Sequence, residues 1–141
     1  MTDTPIRSEL TELTARVQRT MPFARLLGIE ITGDDPAELR GQMAWAEERT
    51  TGNGVLHGGA LLSFADSMGA LCAGMNSRVP LGGTLELKCN FLRPVTEGVV
   101  HSISHPIHVG RSTVVVQTEL FDDDGRRVAL VTQTQAARRE G

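Results

Sequence analysis

The chain of 141 residues suits one domain with a modest core, and its 40% apolar and 22% charged content is that of a globular protein in water. A net charge of −3, 4% aromatic residues and no tyrosine argue against a basic surface for nucleic acid or anionic membrane, and against a base-stacking platform. Cys72 and Cys89 are isolated and form no C-x-x-C pair, which reads as buried thiols of a reducing compartment and not as a disulfide frame.

The N-terminus has no basic start followed by an apolar run, so no signal peptide is read and a cytoplasmic location is expected. Ser8 is expected to cap a first helix that runs to about Arg19, with Leu10, Leu13 and Val17 at helical spacing. "PFARLLG" reads as a short helical turn ending at Gly28. Two strands are expected around a turn at Asp34, Asp35 and Pro36, with Leu39, Gly41, Met43 and Trp45 alternating with polar partners. A loop, "RTTGNG", precedes a helix from about Gly58 to Asn76, where Leu61, Phe64, Ala65, Met68, Leu71, Cys72 and Met75 recur at three- and four-residue steps. The stretch from Ala60 to Met75 is too short to span a membrane and contains Asp66.

Four strands are expected to follow as an antiparallel meander. The first, "TLELKCNFLRP", puts Leu85, Leu87, Cys89 and Phe91 on one face. The second runs from about Val99 to Val109, the third is "STVVVQTELF", "DDDG" is a hairpin turn, and the last strand is "RRVALVTQTQAA". A helix apolar round most of its circumference needs broad burial, and a curved antiparallel sheet wrapped round it supplies that, giving an α+β domain. The absence of alternating strands and helices argues against a doubly wound parallel sheet.

Chemistry concentrates where the long helix begins. Gly58 and Gly59 leave the first-turn amides open to a ligand oxygen, as an oxyanion hole requires; the same pair would also serve a tight strand-to-helix turn. Asp66 lies in the third turn beside Leu62, Gly69, Ala70 and Ala73, none of which offers a charge. It is either paired with an arginine from a distant strand or is an acid/base or nucleophile beside a cavity. Gly58 and Asp66 stand roughly 12 Å apart along one helix. One carbonyl group cannot easily meet both on a single chain. Two antiparallel copies solve this if Gly58 of one faces Asp66 of the other, so a homodimer with sites at its interface is expected.

His57-Gly58-Gly59 followed by Asp66 resembles the signature of hotdog-fold acyl-CoA thioesterases, nearest the phenylacetate-degradation (PaaI-type) subgroup. The resemblance runs from about Phe23 to Ala137, leaving residues 1–22 as an N-terminal helix or extension to a single domain at 23–141. Thr84, the Gly110-Arg111-Ser112 turn and "DDDGRRVAL" fit it as well. It implies a hotdog fold and hydrolysis of an acyl-CoA without cofactor or metal. Gly58 would donate to the thioester carbonyl, and Asp66 of the partner chain would activate water or attack directly. Thr84 would hold the water or the carboxylate, and His57 would orient the loop. Arg93, Arg111 and Ser112 would reach coenzyme A phosphates, with Gly59 and Leu62 also against the substrate. The family's usual Asn or Gln six residues before the histidine is Thr51 here, and Asn53 is the nearby asparagine; the orienting role falls to one of the two. Dimers paired into a tetramer are also implied.

A thioester carbonyl gains little resonance from sulfur, and a thiolate leaves without a strong acid. One carboxylate and an oxyanion hole therefore suffice, and no G-x-S-x-G is present. The competing readings are a non-catalytic acyl-CoA-binding module with a structural Asp66, and a hydroxyacyl thioester dehydratase. Other chemical-looking features have plainer readings. His101 and His105 would stand roughly 13 Å apart on one strand face, too far to share one ion unless Pro106 bends the strand sharply, so His101, His105 and His108 read as surface strand histidines. Asp122, Asp123 and Asp124 lack calcium-loop spacing, "GNGVLHGG" lacks a leading strand and the third glycine of a dinucleotide loop, and Trp45, Met68 and Met75 read as core.

Overall fold

The computed structural model describes residues 3–138. Helix α1 (Asp3–Thr20) begins before Ser8, so Ser8 lies inside it and is not its cap. Pro5 does not prevent this, because a first-turn residue needs no N–H donor. The helix is fastened to the domain: Ile31 N donates to Thr14 Oγ1 at 2.9 Å, Gln18 Nε2 to the Ile29 carbonyl at 2.9 Å, and Val17 is buried. Helix α2 (Pro22–Leu26) follows, and Gly28, at φ 67°, turns the chain into β1 (Glu30–Asp35). Strand β2 (Glu38–Ala44) buries Leu39, Gly41 and Met43, the alternation expected.

Helix α3 (Gly58–Asn76) is the long apolar helix, with the bounds the periodicity predicts. It buries Leu61, Phe64, Ala65, Met68 and Cys72 together with Ser67, Gly69 and Ala73, and packs against β2 through β6. Strands β3 (Leu81–Phe91), β4 (Val99–Val109), β5 (Thr113–Phe121) and β6 (Arg127–Ala137) complete one six-stranded sheet of order β1-β2-β4-β5-β6-β3, antiparallel throughout. This is the α+β hotdog arrangement. Its core is Phe64 and Met68 of α3 against Ile29, Leu39, Met43, Val100, Val114, Val116 and Leu120. No helix among the described residues is long and apolar enough to cross a membrane.

Two expectations about β3 are corrected. Only β4, β5 and β6 form a meander; β3 pairs with β6 at the sheet edge. The connection at 92–98 makes this possible by crossing the end of α3, where the Val95 side chain is buried and its carbonyl accepts from Leu56 N at 2.8 Å. The second correction concerns facing. The register slips between Thr84 and Glu86, a bulge that turns Leu85 outward to 62% exposure and sets Thr84 opposite Gln135. Leu87 and Cys89 keep their inward positions.

Candidate active site

His57 is the N-cap of α3, with φ −63° and ψ 135°. Its Nδ1 accepts from Gly59 N at 2.8 Å, so that nitrogen carries the lone pair and the ring proton sits on Nε2. The His57 carbonyl takes the Ala60 and Leu61 amides at 2.9 and 3.1 Å. Three first-turn donors are thus committed, Gly59 included. The Gly58 N–H makes no hydrogen bond among the described residues. It stands at the positive end of a 19-residue helix. A Cβ at Gly58 would lie 3.1 Å from Phe91 Cζ, so the absence of a side chain lets the end of β3 pack against the start of the helix.

Asp66 is half-buried and forms no salt bridge among the described residues, so the arginine-paired reading finds no arginine among them. Its partners are neutral. Thr84 Oγ1 donates to Asp66 Oδ1 at 3.0 Å, and Gln133 Nε2 to the same oxygen at 3.1 Å and to the Asp66 carbonyl at 3.3 Å. Gln135 Nε2 donates to Thr84 Oγ1 at 2.7 Å. The bulge at Leu85 puts Thr84 on the face that meets α3.

The remaining expected residues fall in three places. Thr51 and Asn53 lie on the loop before α3, where Thr51 N donates to the Val55 carbonyl at 2.8 Å and Asn53 adopts a left-handed φ of 62°. Neither side chain is hydrogen-bonded among the described residues, and Trp45 Nε1 pins the loop through the Gly54 carbonyl at 2.9 Å. Arg93 is exposed just past β3, its N–H near the Val128 carbonyl, at the Gly58 end of the site. Arg111 and Ser112 lie in the β4–β5 turn, where Ser112 O accepts from Ala137 N, at the Asp66 end. Val128 and Ala137 are roughly 30 Å apart along β6, so one chain does not bring these cations together.

Leu62 and Ala70 are half-buried on α3, whereas Ala73 is wholly buried and cannot line a ligand space. A groove of about 510 Å³, walled by Phe23, Leu26, Leu27, Arg49, Ala60 and Ser63, opens beside His57 and Gly59. Sequence reasoning missed this groove, and it missed Phe91, Gln133 and Gln135 as site residues. A signal for the glutamines existed: they share strand parity with Ala129 and Val131, hence the core face.

Burial pushes the Cys72 thiol up to about 11. Asp123 is held below its usual range, first by the His101 ring and then by the Val99 N–H. His101 Nε2 lies 2.8 Å from Asp123 Oδ1, and His105 Nδ1 lies 3.1 Å from the Ala37 carbonyl.

Residues 53–129 match the Thioesterase superfamily. PA1618 of Pseudomonas aeruginosa is 33% identical over 115 residues, 79% of this chain and 78% of that protein. The structure of a mutant of thioesterase PA1618 superposes with a TM-score of 0.79 at 28% identity, covering 87% of this chain and 91% of that one. Thioesterase HI1161 of Haemophilus influenzae gives 0.82 at 25% identity, over 92% and 90%. A mutant of the phenylacetic acid degradation protein PaaI of Thermus thermophilus gives 0.76 at 27%, over 83% and 99%.

Proposed function

The chain belongs to the thioesterase superfamily, and from that premise we propose that it hydrolyses an acyl-CoA thioester to the free acid and coenzyme A at a site shared by two copies of the chain. One observation carries the reading. Among the described residues the helix offers one uncommitted first-turn amide, at Gly58, and one carboxylate, at Asp66, held by neutral donors and left without a cation.

Negative charge builds on the carbonyl oxygen whether Asp66 deprotonates water or attacks directly. The Gly58 N–H and the helix terminus meet that charge, and the thiolate leaves unaided. His57 serves by orienting the turn. Its Nδ1 is occupied by Gly59 and its Nε2 carries the proton, which disfavours the proton abstraction a dehydratase requires.

Within one helix Gly58 and Asp66 are roughly 12 Å apart, so Asp66 comes from the partner. The edge position of β3 supports this. Its outer backbone groups have no neighbouring strand among the described residues, and Leu85 and Phe91 are exposed along it, at 62% and 53%. Antiparallel pairing would also set Arg93 of one chain near Arg111 and Ser112 of the other, a combined phosphate-binding rim for coenzyme A. Leu62, Ala70 and the groove beside His57 supply apolar walls for the acyl group. Thr51 or Asn53, both with free side chains, orients the substrate. Ile107 and Val109, exposed where β4 runs past β2, offer a second apolar patch for joining dimers into a tetramer.

The test is thiol release from a panel of aromatic, short-chain and medium-chain acyl-CoA esters. Wild-type protein is expected to hydrolyse at least one. Asp66→Asn is expected to abolish that hydrolysis with the elution volume unchanged. Wild-type protein that binds acyl-CoA and hydrolyses none would sink the proposal in favour of a binding module.

A further inference from the structure

We propose that Gln133 and Gln135, two buried amides on β6, are positioning residues that select which oxygen of Asp66 reacts; the inference rests on the reading of Asp66 as the reactive carboxylate. Gln133 is 0% exposed. Its side chain passes beneath α3 at Gly69, where a Cβ would lie 1.8 Å from Gln133 Oε1. Position 69 is therefore open only because it is glycine, and the amide fills the opening.

The orientation of that amide is forced. Nε2 donates to Asp66 Oδ1 and to the Asp66 carbonyl, while Oε1 is buried without a partner among the described residues. Turning the amide over would set Oε1 against two acceptors and satisfy nothing. Buried acceptors are seldom left orphaned, and here the compensating contact falls entirely on Asp66.

Gln135 acts one step further out. Because its Nε2 donates to Thr84 Oγ1, the single Thr84 hydroxyl proton is directed to Asp66 Oδ1. Oδ1 thus accepts from two neutral donors, and Oδ2 accepts from none among the described residues. An arginine would clamp both oxygens at once. One amide and one hydroxyl, the latter aimed by the second amide, engage one only. The other keeps its lone pairs for a water proton or for the carbonyl carbon.

The experiment is a kinetic series on the full-length protein with the acyl-CoA it hydrolyses fastest. Gly69→Ala is the leading variant, since its Cβ would lie 1.8 Å from Gln133 Oε1 and so pushes that amide away from Asp66, while alanine itself favours the helix. It and Gln133→Met are expected to lower kcat about 10- to 100-fold, as loss of an orienting partner does, with KM within about threefold. Gln135→Met is expected to lower kcat in the wild-type background and to add nothing once Thr84→Val is present. Asp66→Asn serves as the control for the underlying reading. Wild-type kcat in Gly69→Ala and Gln135→Met, with Asp66→Asn inactive, overturns the inference and leaves the role of Asp66 standing. Additive losses for Gln135→Met and Thr84→Val likewise overturn it, since they would mark Gln135 as merely structural. Full activity in Asp66→Asn overturns both. Should Gln133→Met fail to fold, the Gly69→Ala result and the Gln135–Thr84 pair decide.

Discussion

Thr84→Val is the substitution that most directly separates hydrogen bonding from packing at the site. Valine keeps the β-branched shape and the strand rotamer, so β3 should hold its register. What disappears is one hydroxyl with two bonds, 3.0 Å to Asp66 Oδ1 and 2.7 Å from Gln135 Nε2. A bond to a charged acceptor contributes about 1.5–3 kcal/mol and a stranded buried donor costs about 1–3 kcal/mol. Gln135 is 1% exposed and cannot turn to water, whereas Thr84 itself is exposed and water can replace part of its bond to Asp66. The sum then falls near the low end, about 2 kcal/mol. At roughly 2.1 cal/mol/K of unfolding entropy per residue, that lowers Tm by about 7 °C. Hydrolysis should fall about tenfold or more, because Asp66 loses one of its two orienting donors. The assays are a calorimetric melt and acyl-CoA hydrolysis, with Thr84→Ser as the control that restores the hydroxyl. Unchanged Tm and turnover in Thr84→Val would refute the reasoning.

Three further outcomes are expected. Gly41→Ala would place a Cβ 2.7 Å from Met68 Cε and 3.1 Å from the Glu30 carbonyl, so it should destabilise by about 1–3 kcal/mol in urea melts, and Met68→Ala in the same chain should recover part of that loss. Leu85→Arg on the exposed edge of β3 should shift the sedimentation coefficient toward monomer and remove hydrolysis together with the dimer; loss of one without the other would count against the interface. Folded Cys72 holds its proton up to about 11, against 9.0 for an unperturbed cysteine. The folded state therefore binds the extra proton between those values, and this contribution to stability is present below pH 9 and lost as pH rises toward 11. Cys72→Ala should flatten that alkaline decline, and native Cys72 should alkylate at about pH 8 far more slowly than it does in urea.

How much of this was legible in the sequence depended on how local the cause was. The α3 bounds and those of β4 follow from periodicity and flanking glycines, which act within a few residues. The site motif was visible for the same reason, since His57, Gly58 and Asp66 share one helix and its cap. That Gly58 and not Gly59 keeps its amide free came only from the family resemblance, because locally it depends on where the His57 ring turns. The bulge at Leu85 and the edge position of β3 escaped detection because both are set by pairing with β6, some fifty residues later. Gln133 and Gln135 could have been assigned inward by parity, yet nothing local says that they would meet Asp66 and Thr84.

The claim on which the account turns is that Gly58 and Asp66 act across two chains. Gly58 is the first residue of α3, and His57 before it has φ −63° and ψ 135°, so Gly58→Pro deletes the amide proton in a backbone that already accepts proline, its Cβ pressing only on the exposed ring of Phe91, 3.1 Å away, which has room to give. Differently tagged Gly58→Pro and Asp66→Asn chains, each inactive alone, can be co-expressed and the mixed dimer isolated. If the sites cross chains, one site retains both groups and the mixed dimer recovers about half of wild-type hydrolysis. A mixed dimer no more active than the two inactive parents would contradict the account.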